Sequence, residues 1–223
     1  MKLPHWALTT RRVVGVARIV LAIGIFAAVA TQVGDRIAHD LFRPGEYFAF
    51  FTIQTAMMFV VVLIAAGIMS LRTASDTRLL TVFRMMVVPY AIVTALVYNL
   101  MLRGIPLTGV DAGYQWPVWP NELLHVAAPI LLVLDWVFSI GRFPLRLRAL
   151  WWALIFPLAW VGFSIIRGLA TGWWPYPFLD PTGSLGWAGV IGYIIGISGL
   201  MTLFAYLAVL TGRIWERIKA RRA

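Results

Sequence analysis

The chain contains no cysteine, which excludes disulfides, thiol chemistry and thiolate-held metal clusters. Charge is scarce too. Asp, Glu, Lys and Arg make up 13% of the residues, where a soluble domain carries about a quarter. Histidine occurs only as His5, His39 and His125. No group of His, Asp and Glu has metal-ligand spacing; Glu122 and His125 at i,i+3 are a single, unrepeated pair. No G-x-S-x-G elbow is present: Gly162-Phe163-Ser164 lacks its second glycine, and Gly196-Ile197-Ser198-Gly199 is misspaced. A P-loop and a dinucleotide fingerprint are absent as well. No metal and no cofactor are therefore expected.

Apolar residues fill the space that charge leaves. They make up 61% of 223 residues, and mean hydropathy is +0.84. A globular core of this size does not need so much apolar surface, so lipid is the expected solvent. Six runs are long enough to cross a bilayer, at roughly 13–33, 46–71, 79–102, 119–140, 149–169 and 186–211. The expected fold is all-α, a single domain over 1–223 and a polytopic six-helix bundle. The first run lacks a small-residue cleavage site and reads as a retained helix.

The net charge of +10 would suggest nucleic acid in a soluble protein. Here it sorts by connection. Lys2, Arg11 and Arg12 precede the first run, and Arg72 and Arg78 flank the second break. Arg142, Arg146 and Arg148 flank the fourth, and Arg213, Arg217, Lys219, Arg221 and Arg222 end the chain. Those thirteen face four on the alternate connections, Arg36, Arg43, Arg103 and Arg167. The asymmetry predicts cytoplasmic termini and membrane lipid as the partner, with no nucleic acid. The alternate connections are rich in Trp, Tyr and Pro, as in Tyr114–Pro120 and Gly172–Pro181. They read as an interfacial aromatic belt or as a lid over a site open to the outer leaflet.

Polar side chains inside the spans mark where chemistry can occur, because each is costly unless it pairs or lines a cavity. They are Thr52, Gln54 and Thr55 in the second run, Arg84, Tyr98 and Asn99 in the third, and Asn121, Glu122, His125 and Asp135 in the fourth. Glu122 shares a helix face with His125, where a carboxylate can orient the imidazole; a structural histidine on a neighbouring carbonyl is the plainer alternative. Thr52 and His125 each fall about six residues below the outer start of their runs, at one depth of roughly 9 Å. A threonine hydroxyl needs an adjacent base to become a nucleophile, and His125 is the suitable one. Alternatively, Thr52 bonds its own helix backbone. Gln54, Asn99 and Asn121 are candidate oxyanion donors. Arg103 and Arg167 cap helix ends where a substrate carboxylate or a lipid headgroup can bind, and Asp180 can bond loop backbone or an arginine. Pro89, Pro129 and Pro157 are expected to kink their helices. The glycine series from Gly186 to Gly199 reads as close helix packing.

These segments resemble the androgen-induced-gene and ADTRP family of integral membrane proteins. Tyr47-Phe48-Ala49-Phe50-Phe51-Thr52-Ile53-Gln54 is similar to its Phe-Thr segment. Asn121-Glu122-Leu123-Leu124-His125 with Pro129 and Asp135-Trp136 is similar to its histidine helix, and Tyr176-Pro177-Phe178-Leu179-Asp180 to the motif before the last helix in the bacterial branch. The resemblance implies an intramembrane threonine hydrolase of fatty-acid esters of hydroxy fatty acids, in a bacterial inner membrane. Thr52 would be nucleophile and His125 general base. Thr55-Ala56 stands where bacterial relatives tend to have Ser-Asn. A protein that binds or moves a lipid without chemistry is the second reading, and a structural subunit the third.

Overall fold

Six helices long and apolar enough to cross a membrane occur among the described residues of the computed structural model, which are 5–107 and 109–220. Lys2, Arg221 and Arg222 lie outside them. No strand occurs among the described residues. The spans are α1 (His5–Ala38), α3 (Phe51–Arg72), α4 (Arg78–Val97) with a π-helical turn to Leu102, α5 (Val118–Glu122) joined by a second π-helical turn to α6 (Ala128–Phe138), α7 (Trp152–Thr171) and α8 (Gly186–Ala220). The short α2 (Pro44–Tyr47) lies between α1 and α3. Local chemistry sets several of the ends. The Thr77 hydroxyl accepts from the Leu80 N–H at the start of α4. Gly172, at φ +72°, closes α7 in the left-handed conformation.

The third, fourth and fifth spans match the expected boundaries to a few residues; the first runs from His5 to Ala38 and not 13 to 33, the last runs on to Ala220, and the second begins at Phe51 and not 46. Phe50 is the residue that precedes the helix, its carbonyl accepting from the Gln54 N–H, and the Phe48 and Ala49 carbonyls are taken by side chains. The Gln54 amide donates to the Phe48 carbonyl and the Trp160 indole N–H to that of Ala49, each at 2.9 Å. Thr52 therefore lies in the first turn of α3, not six residues down.

The third span is the hub, with its hydrophobic window two-thirds buried, the highest share of the six. The α5–α6 span, α3, α7 and α8 all pack on it, while α1 pairs with α3. The α1–α3 contact is close because of Gly15 and Gly67. A Cβ at Gly67 would lie 2.8 Å from the Gly15 carbonyl oxygen and 2.6 Å from Ile19 Cγ1. The glycines of α8 do something else. A Cβ on Gly192, Gly196 or Gly199 would meet nothing within 4 Å, so the expected close packing does not occur there within the chain. Gly67→Val should cost about 1–3 kcal/mol by overpacking, read as a lower Tm in detergent. Gly192→Ala should leave Tm unchanged or raise it. Equal Tm values for Gly67→Val and wild type would rule out the tight crossing.

The two ends of the bundle differ in chemistry. At the basic end Arg11 bonds Asp76 and the Thr73 and Ile140 carbonyls, tying the start of α1 to two connections. At the aromatic end Arg36 and Arg43 share Asp111, and Tyr114 donates to Asp35. Arg36 also lies over the rings of Tyr114 and Trp116, at 5.1 and 4.8 Å.

Candidate functional site

The first turn of α3 opens a row of backbone N–H groups that no preceding turn can satisfy. Thr52 sits in this row, so its hydroxyl has no helical carbonyl behind it. Thr55, Thr81, Thr171 and Thr202 each donate to the carbonyl four residues earlier. Thr52 does not. Its neighbour is Tyr176, from the connection between α7 and α8. The phenol oxygen accepts from the Thr52 N–H at 3.4 Å and lies 3.5 Å from Thr52 Oγ1. Tyr176 is held by rings: it stacks on Phe178 at 5.2 Å and packs against Phe50 and Trp160.

Thr52 and Tyr176 line the aromatic-end part of an apolar cleft between α3, the third span, α7 and α8. Its cavity volume is about 60 Å³. Few polar groups face it. Thr94 is one, 5% exposed, with a hydroxyl that has no hydrogen-bond partner among the described residues. Tyr98 is another, and through it His125 enters the site. The imidazole stacks on the Tyr98 ring with centroids 3.8 Å apart, and His125 itself is not part of the cleft wall.

Two facing π-helical turns build the histidine's surroundings, Tyr98–Leu102 and Leu123–Ala127. Such turns insert one residue and redirect side chains, frequently at functional sites. Pro129 has no N–H to give the His125 carbonyl four residues back, and the Asn99 amide takes that carbonyl at 3.2 Å. The Asn121 amide donates to the Tyr98 hydroxyl. His125 Nδ1 lies 2.9 Å from the Asn121 carbonyl oxygen. A carbonyl only accepts, so Nδ1 carries the proton in the neutral ring and Nε2 keeps its lone pair.

Other expected site residues are engaged elsewhere. Glu122 does not orient His125: its carboxylate forms a two-point pair with Arg103 at 2.7 and 2.9 Å on the bundle's surface. Arg103 also bonds Asn99. Gln54 is spent on the Phe48 carbonyl. Arg167 lies over the Trp173 ring at 4.1 Å and has no ion pair among the described residues. Asp180 accepts from the backbone and hydroxyl of Thr182. Thr52 and His125 form no hydrogen bond with each other. Tyr98 and Tyr176, the two rings that connect them to the cleft, carry no sequence signal beyond their polarity and their place in the quoted segments. No group of three or more His, Asp or Glu able to hold a metal occurs among the described residues.

No family model, curated protein or solved structure matches the chain.

Proposed function

We propose that this integral membrane protein is a lipid ester hydrolase of the androgen-induced-gene and ADTRP type. It would cleave fatty-acid esters of hydroxy fatty acids or similar acyl esters. The aromatic end would face outward and both termini the cytoplasm of a bacterial inner membrane, following the thirteen-to-four distribution of basic residues.

One observation carries this reading. The Thr52 hydroxyl is free of its own helix and stands at the wall of an apolar cleft, as a nucleophile for an acyl ester requires. Its oxygen attacks the ester carbonyl carbon and its proton goes to His125 Nε2, the nitrogen left basic by the Asn121 carbonyl. Collapse of the tetrahedral adduct breaks the bond to the leaving alkoxide, which takes that proton. Water then releases the fatty acid from Thr52 by the same two steps. Because Thr52 and His125 share no hydrogen bond and His125 is not part of the cleft wall, proton transfer needs one water to bridge or a side-chain movement that brings the two together.

That missing contact is also what favours the second reading, a protein that binds or moves a lipid or other amphiphile. A fluorophosphonate probe on purified protein separates the two. Labelling at Thr52 that disappears in His125→Ala is the expected result. Folded wild-type protein that takes no probe would leave the binding reading in its place.

A further inference from the structure

We propose that Tyr176 is the oxyanion donor of this site, an inference that rests on the hydrolase reading. The three amides that sequence offers for the role are committed to other groups: Gln54 to Phe48, Asn99 to Ala95 and His125, and Asn121 to Tyr98. The Tyr176 phenol is instead beside the nucleophile itself, 3.5 Å from Thr52 Oγ1.

Its position suits a donor in three ways. The phenol oxygen accepts from the Thr52 N–H at the N-terminus of α3, the positive end of the helix dipole. An oxygen that accepts in this way has a more polarised O–H, and its own hydrogen bond strengthens. Next comes distance. An oxyanion on a carbon newly bonded to Oγ1 sits to one side of the 3.5 Å line from Oγ1 to the phenol, where it can come within the about 2.7–3.1 Å at which donors act. Last, the side chain is already fixed. Pro175 and Pro177 flank it in the chain, and Phe178, Phe50 and Trp160 pack around its ring. Burial pushes the phenol above its ordinary pKa, so it stays protonated and able to donate. A separate observation points to a polar ligand atom in the same cleft. Thr94, buried in the same cleft wall, presents a hydroxyl with no partner among the described residues, and an ester oxygen would satisfy it.

In the step itself, the Oγ1–carbon bond forms and the carbonyl π pair moves onto oxygen. The Tyr176 O–H donates a hydrogen bond to that oxygen and keeps its proton. On collapse the carbonyl reforms as the bond to the alkoxide breaks.

The test uses full-length protein in detergent with p-nitrophenyl octanoate. Tyr176→Phe should lower kcat by about 10²–10³-fold, leave KM and Tm near wild type, and slow fluorophosphonate labelling by a similar factor. Thr52→Ala is measured beside it. If Thr52→Ala is inactive and Tyr176→Phe keeps kcat within about threefold, the donor role is wrong and the hydrolase reading stands. If Thr52→Ala is fully active, or the wild type does not cleave the ester, both are wrong. Should Tyr176→Phe fail to fold, 3-fluorotyrosine at 176 preserves shape and lowers the phenol's pKa. Activity should then fall away at a lower pH than in the wild type, and an unchanged pH profile would overturn the proposal.

Discussion

Asp76→Ala is expected to destabilise the protein by about 3–5 kcal/mol, the cost of removing one partner from a buried ion pair. For a chain of this size that is roughly a 6–20 °C loss in Tm. The Asp76 side chain is 0% exposed and bridges Arg11 to Arg84. Arg84 reaches on to Asp135, which also holds Arg18, and Ser70 and Ser139 complete the network. Three guanidinium groups thus share two carboxylates at the basic end. Without Asp76, Arg11 retains only the Thr73 and Ile140 carbonyls, and the local positive charge rises. A double-mutant cycle adds the decisive comparison: Asp76→Ala combined with Arg84→Met should cost less than the sum of the two singles, because it leaves fewer charges unpaired. Additive costs, or an Asp76→Ala change below about 1 kcal/mol, would mean that the network does not hold the bundle together.

His125→Ala should reduce ester hydrolysis by about 10²–10⁴-fold, the range that a positioned general base supplies. Part of the activity should return with added imidazole, which fits the space the side chain leaves. Membrane insertion and the helical far-UV signal should be retained, because the imidazole holds no ion pair and its one hydrogen bond is to its own span, while the Asn99 bond to the His125 carbonyl survives in alanine. Activity within about threefold of wild type would require a different base, and among the described residues the one titratable side chain hydrogen-bonded to Thr52 is Tyr176. The two predictions separate the halves of the molecule. Losses at Asp76 should appear in stability with activity following, and losses at His125 in activity alone.

Much of the site was visible in the sequence as residue types and not as contacts. Thr52 and His125 stand out because a hydroxyl and an imidazole in apolar spans are costly. Asn99, Arg103, Asn121 and Glu122 stand out on the same ground, and they do form one connected cluster with Tyr98 and His125. Their roles were not visible. Glu122 pairs with Arg103 because that guanidinium, 19 positions away in the chain, stands across from it on the neighbouring span. Tyr176 meets Thr52 across 124 positions. Spacing along one helix cannot report either distance. The depth argument for Thr52 and His125 assumed an unbroken helix from residue 46, whereas the helix starts at Phe51 and the Phe48 and Ala49 carbonyls before it are taken by the Gln54 and Trp160 side chains.

The sequence by itself determined the solvent, the six spans and the sorting of basic residues to one end. Those follow from transfer free energies summed along each segment, which need no knowledge of neighbours. Only the tertiary structure decided which helices touch, that glycine packs α1 on α3 and not α8 on a partner within the chain, and that Arg11, Arg18 and Arg84 share Asp76 and Asp135. It also decided that Thr52 faces Tyr176 in an apolar cleft while His125 lies behind Tyr98. The reason is physical. In lipid every span is apolar on most faces, so periodicity does not mark the buried side. The choice of contacts falls to shape, to small residues and to a few polar groups that must find partners across the bundle.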